Sequence, residues 1–341
     1  MDNSDIQKLV EISRMYHNQG MNQEQIAKVF GISRSAVSMH LAEAKNIGIV
    51  QVQIKDPSEN NEKLASELAE RFRLRKCIVV PSGSHKDDVL LRITTSQAAR
   101  FASETLFTSH SSVGTAWGST CREFMRAFPE DTNLCDVNVV PLVGASPLLT
   151  QEYQLNESVR MFAEKMRGFP LFIYSPGLVE TLEDKRRIME STFMQSILDR
   201  WKNTDYAVLG IGRHRRWEEL RGVYQRMGLG AKPEDMRQAH RGSRTMLEEI
   251  NSYTDLAVGD LCARQFNIHG EFTQSDYNSK LIGIEGDVLK TIKHVMAIAV
   301  GSEKVFAIIG ALRTNIIHYF ITDENTAIQV LDLLNSGALP E

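Results

Sequence analysis

Cysteine is scarce in this 341-residue chain, which has only Cys77, Cys121, Cys135 and Cys262. With no Cys-x-x-Cys spacing and no paired histidines beside them, they form neither a disulfide framework nor a zinc signature. They read as buried thiols of a protein in a reducing cytoplasm, and neither metal nor cofactor is expected. Long apolar runs are missing too, none approaching the roughly 20 residues that a bilayer-spanning helix needs, so no membrane partner is expected. The opening MDNSDIQKLVEISRMY is acidic, polar and amphipathic, unlike a signal peptide. Catalytic signatures are absent: there is no Gly-x-Ser-x-Gly elbow, no P-loop, and no Gly-x-Gly-x-x-Gly opening a helix after a strand. Net charge is mildly acidic, −4, with 42% hydrophobic and 24% charged residues, ordinary for a soluble globular protein. The length suits one small and one large domain.

What is present begins with NQEQIAKVFGISRSAVSMHLAEAKNIG, residues 22–48. Asn22 caps a short helix, with Gln25 placed for a capping box. Ile26, Ala27, Val29 and Phe30 give that helix an apolar side, and Gly31 supplies a positive-φ corner. Ser33 caps a second helix whose Val37, Leu41, Ala44 and Ile47 share one face. Ser35, Ser38, Met39 and Ala42 point the other way with Arg34 on the shoulder of the first turn, a small polar face suited to the major groove of double-stranded DNA. The stretch reads as a helix-turn-helix, completed by an amphipathic helix over residues 4–19 with Ile6, Leu9, Val10, Ser13 and Tyr16 or His17 on one side. Residues 1–54 carry five basic and five acidic side chains and are therefore neutral. Strong phosphate binding wants a basic module, so at least two copies should act together.

After Gly48, IVQVQIK alternates as a strand with one wet side, and Asp56-Pro57-Ser58 breaks the pattern. This sets domains at residues 1–55 and 56–341. A helix over residues 59–72 presents Leu64, Leu68 and Phe72, for docking on the large domain or pairing with a second subunit. Strands are expected at Cys77–Val80, Ser112–Thr115, Val137–Leu142, Leu171–Tyr174, Tyr206–Gly210, Lys280–Ile284, Val295–Val300 and Ile316–Ile321. Helices are expected at Asp88–Phe107, Thr120–Phe128, Asn156–Arg167, Glu190–Lys202, Asp287–Ile292, Ser302–Arg313 and Asp323–Leu334. The alternation predicts a mostly parallel α/β sheet covered on both faces. Residues 213–258 fit it least, reading as a charged insertion in which Arg213, His214, Arg215 and Arg216 form a solvated basic turn or meet a phosphate.

Ligands of such sheets bind at the loops after strand ends. Gly114, Thr115, Gly118, Ser119 and Thr120 span one strand end and a helix N-terminus, where amides and dipole suit phosphate, although a plain capped turn reads as well. Gly210 and Gly212 end another apolar run. Asp260 follows a glycine and either reads sugar hydroxyls or is a turn aspartate. Lys304 sits in the first turn of a helix, against its dipole, as expected of a cation facing a bound anion. Thr322 or Asp323 reads as a cap and not as chemistry.

The helix-turn-helix followed by VGTAWGST, PLVGASPLLTQEYQLNESVRMFAEKM, TDYAVLGIG, LAVGDLCARQFNIHGE, SKLIGI, VGSEKVFAIIGALRTN and YFITDENTA resembles the SorC family of sugar-binding transcriptional regulators, over nearly the whole chain. The resemblance implies a winged or sigma-like DNA-binding domain on a Rossmann-like effector domain akin to sugar-phosphate isomerases and deaminases. It also implies a phosphorylated sugar or polyol effector and a dimer or tetramer as the working form. By motif, Gly114–Thr120, Gly210, Gly212, Asp260 and Lys304 become the effector contacts, with Asn156 a weaker candidate. Departures are Val300-Gly301 for the family's Gly-Gly, Arg313-Thr314-Asn315 for its Arg-Gly-Gly, and a longer basic segment at 213–258. The rival expectation is an isomerase- or deaminase-like enzyme with Asp260 as general base and an accessory amino-terminal domain.

Overall fold

The structure is a computed structural model that describes residues 3–50, 57–130, 132–146, 154–214, 256–336 and 339. It divides into two compact units, Met1–Asp56 and Pro57–Glu341. Among the described residues, no helix is long and apolar enough to cross a membrane.

The small unit holds helices Asn3–His17, Gln23–Phe30 and Arg34–Asn46. Asn22 accepts from the Glu24 and Gln25 amides while its own amide donates to Gln25 Oε1 at 3.0 Å, closing the capping box. Gly31 turns the corner at φ 63°, and Ser33 Oγ caps the last helix by accepting from the Ala36 amide at 3.2 Å. Ile12, Ile26, Ala27 and Val37 meet at the centre. Two details differ from the sequence reading. Ile12 anchors the first helix, whereas Ile6 is exposed. Val29 and Ile47 are 57% and 48% exposed: Ile26, Ala27 and Phe30 already fill the one stripe that a two-turn helix can bury, and Ile47 lies past the last turn. Most of the alternating stretch IVQVQIK lies outside the described residues.

The large unit is built on a six-stranded parallel sheet. Its strands are β1 (Lys76–Val80), β2 (Ser112–Thr115), β3 (Asn138–Pro141), β4 (Tyr206–Gly210), β8 (His294–Ile298) and β9 (Tyr319–Asp323). They lie in the order β1-β9-β8-β4-β2-β3. Between β4 and β8 the chain adds a small antiparallel sheet of β5 (Gly212–Arg213), β6 (Gly259–Leu261) and β7 (Arg264–Phe266). The central strands β4 and β8 are mostly apolar and buried except at one end each, Gly210 and His294, as a sheet covered on both faces requires. Helix Val305–Arg313 follows β8 and is buried over eight of its nine residues. Helix Pro57–Phe72 docks on this core through Leu68, with Leu64, Ala65, Ala69 and Phe72 beside it. Trp201 seats helix Thr192–Lys202 at the end of β3, its Nε1 donating to the Pro141 carbonyl at 2.8 Å.

Two expected strands, Leu171–Tyr174 and Lys280–Ile284, make only isolated bridges, such as Val139 to Pro170 and Val143 to Gly283. The first lies beside the free edge of β3, where Pro170 has no amide to extend a ladder, and the second bridges Val143 and Leu178 beyond the end of β3. The expected helix Glu190–Lys202 is two helices, Leu182–Glu190 and Thr192–Lys202, parted by an extended Ser191 that caps the second.

Candidate functional site

Strand order fixes where a ligand site belongs. From β2 the chain moves outward to β3, and from β4 it moves the opposite way to β8. Neighbouring loops that leave in opposite directions open a crevice at the carboxyl ends of β2 and β4, the switch point of a doubly wound sheet. The loops after β2, β4 and β8 therefore lie side by side, and the expected effector residues other than Asn156 fall on these loops, on the strands they leave, or on β5 and β6.

Each takes a distinct place. Gly114 and Thr115 lie in β2 itself: Gly114 faces Leu142, and the buried Thr115 hydroxyl donates to the Val208 carbonyl at 3.3 Å. They build the strand end and offer a ligand no side chain. Gly118 adopts φ 128°, and Ser119, which opens helix Ser119–Ala127, is exposed. Thr120 is buried against Gly210, where an added Cβ would press to 3.1 Å on the Thr120 Cβ. The Gly210 amide donates to Cys121 Sγ at 3.1 Å. Trp117 Nε1 donates to the Gly144 carbonyl at 3.1 Å, pinning the loop after β2.

Antiparallel pairing of β5 with β6 brings Asp260 opposite Gly212, where a Cβ would collide with the Asp260 carboxylate. The carboxylate accepts from the Ala263 amide at 3.1 Å, through a turn in which Cys262 and Ala263 both have positive φ. Lys304 closes the short turn Ser302–Lys304 and forms the N-cap of helix Val305–Arg313. Gly301, at φ 113°, donates its amide to Thr326 Oγ1 at 2.9 Å. Asp323, as expected, is a cap: it accepts from the Thr326 amide and from Ser82 Oγ, tying the ends of β1, β8 and β9 together.

Burial pushes the Asp260 carboxyl up to about 6, against the Ala263 amide and the Lys304 charge, which pull it down. Burial likewise lowers the Lys304 ammonium, opposed by Glu303, Asp260 and Cys121 and reinforced by Arg213. Asp260 and Lys304 thus lie close enough for each charge to favour the other, and Lys304 also has a helix N-terminus at its back. Such a recess, part cation with aligned amides and part carboxylate, can hold an anion at one end and hydroxyls at the other.

Three further residues belong to this neighbourhood. Cys121 is fully buried beside Lys304, the Tyr277 phenol is raised by burial and then by the nearby Asp260 charge, and Arg213 on β5 pairs with Gly259 on β6. Sequence gave each only a generic signal: a thiol after a Ser-Thr cap, a tyrosine, and a charged run. Arg215 and Arg216 lie outside the described residues. Asn156 is committed elsewhere, donating to the Ile173 carbonyl and accepting from the Ile173 amide.

On the small unit, Arg34, Ser35, Ser38, Met39 and Ala42 are all exposed, while Val37 and Ala44 of the same helix are buried. Met39 is 62% exposed, far more than packing would leave it. Lys28 and Lys45 are exposed on neighbouring turns. A buried stripe with a small-residue outer face is the geometry of a recognition helix.

Comparison with known proteins agrees. A family model described as "Putative sugar-binding domain" matches residues 56–332. The sorbitol operon regulator of Klebsiella pneumoniae is 26% identical over 334 residues, covering 96% of this chain and 98% of its own. The deoxyribonucleoside regulator of Bacillus subtilis is 27% identical over 327 residues, with 96% and 98% covered. The crystal structure of the full-length sorbitol operon regulator SorC from K. pneumoniae superposes with a TM-score of 0.66 at 25% identity, over 97% of this chain and 99% of that one. Matched along both its units in one order, the chain belongs to the SorC family of sugar-binding transcriptional regulators.

Proposed function

We propose that the chain is a cytoplasmic, homo-oligomeric regulator of a carbohydrate or polyol operon. Helix Arg34–Asn46 reads operator DNA, and a phosphorylated sugar or polyol in the Asp260–Lys304 recess controls it. One observation carries this reading. A half-buried lysine stands at a helix N-terminus, where its charge is costly, close enough to Asp260 and Cys121 to feel both. A phosphate there takes the lysine, the turn amides and the dipole together, and Asp260 accepts hydroxyl protons from the carbon chain. An unphosphorylated polyol would use Asp260 and the loop amides alone. The isomerase or deaminase alternative gains nothing from the relatives, which are regulators.

The roles in the relatives' names, sorbitol, deoxyribonucleoside and erythritol, suggest the first panel. Isothermal titration of the full chain with sorbitol, erythritol and deoxyribose, each free and as its monophosphate, tests the site. At least one should bind. Loss of a charged hydrogen bond in Lys304→Gln should weaken a phosphorylated ligand by about tenfold to a hundredfold, and Asp260→Asn should weaken free and phosphorylated forms alike. Binding that ignores both substitutions would remove the recess as the effector site.

A further inference from the structure

Far from this recess, at the amino ends of β2 and β3, the fold assembles three side chains that no motif joins. His110 lies in the turn before β2, and Cys135 and Asp136 lie in the turn before β3. One donor atom of each lies within 4.8 Å of the other two, and His110 Nδ1 stands 3.3 Å from Asp136 Oδ2. We propose that His110, Cys135 and Asp136 bind a zinc-class divalent cation through Nδ1, Sγ and a carboxylate oxygen, with water completing a tetrahedron.

Distance supports this first. Two ligand atoms about 2.0–2.1 Å from a tetrahedral metal stand roughly 3.3–3.4 Å apart, which is the His110–Asp136 separation found here. Donor chemistry comes next, since thiolate and imidazole together select zinc or cobalt over magnesium and calcium. Of the four cysteines Cys135 alone is not buried, so it is the thiol that an ion in solvent can reach.

The two turns are also held in register by the backbone. The His110 amide donates to the Cys135 carbonyl at 3.0 Å, the Asn138 amide to the Ser111 carbonyl at 2.8 Å, and the Cys135 amide to Ser109 Oγ at 3.1 Å. His110 and Asp136 both adopt left-handed backbone, at φ 59° and 54°, and their side chains meet at 3.3 Å. A metal there would staple the entries of β2 and β3 at the end of the sheet remote from the effector recess.

Cobalt titration of untagged, chelator-treated full chain decides the matter. One cobalt per chain should bind with a thiolate charge-transfer band in the near ultraviolet and four-coordinate visible bands, and zinc should displace it. Cys135→Ser should abolish the charge-transfer band. His110→Asn and Asp136→Asn keep a residue that tolerates left-handed backbone, so each removes a ligand without straining its turn. Each should weaken cobalt binding by about tenfold or more, the least that disturbing a metal's surroundings costs, while circular dichroism stays unchanged. A native chain that shows no band, a band that survives Cys135→Ser, or unchanged affinity in both asparagine variants would overturn the site.

Discussion

Asp260 and Lys304 are costly residues for the fold, because burial works against the charge of each. The sign for Asp260 is definite. Its carboxyl is raised from 3.8 to about 6, so its favourable contribution is fully present below about 3.8 and lost as pH rises through about 6. Asp260→Asn, neutral throughout, should therefore melt higher than the native chain at pH 7.5, with the gap closing toward pH 4. Differential scanning calorimetry across that range checks it, and a gap independent of pH would show that the carboxylate is not desolvated. Residues of this kind were unevenly legible in sequence. Lys304 stood out because a cation at a helix start violates a local rule. Asp260 looked like any turn aspartate until strand pairing set it against Gly212. Cys135 read as a buried thiol, yet it is partly exposed, and His110 lies 25 positions away, so no spacing rule connects them.

Among elements, those that carry their own punctuation were read well. The capping box at Asn22 and the corner at Gly31 are local, and both took the conformation that the residues imply. Strands Ser112–Thr115 and Tyr206–Gly210 fell at their expected limits because short, apolar, buried strands of a parallel sheet announce themselves. The β6–β7 hairpin did not. Its strands are three residues long, and its turn places Cys262 and Ala263 at φ 50° and 64° without an Asn-Gly or Asp-Gly signal. Only the surrounding fold can impose that turn. The corner of the helix-turn-helix gives a direct test. A Cβ at Gly31 meets no neighbour, so Gly31→Ala measures backbone strain alone. It should destabilise the small unit by about 1–2 kcal/mol, read from urea unfolding, while leaving ligand titrations of the large unit unchanged. Full native stability in that variant would mean that the corner is not held in left-handed backbone.

For the whole molecule, the decisive features are a charge-neutral helix-turn-helix unit and a sugar-binding domain in one chain. A module without excess positive charge gains little from phosphate contacts, so the proposed oligomer would present paired recognition helices about 34–36 Å apart or a multiple of that. An effector can then control DNA binding by favouring one arrangement of copies over another, and only by as much as its affinity for the two differs. Coupling of this kind is typically about 5- to 150-fold. The measurement that tests it most directly is fluorescence anisotropy of the full chain on an operator selected from random oligonucleotides, with and without the tightest ligand of the sugar panel. In the native chain the ligand should shift operator affinity by about fivefold or more. The shift should vanish in Lys304→Gln or Asp260→Asn, whose affinity without ligand should match the native value. A ligand that binds the recess and leaves operator affinity unmoved would contradict this coupling.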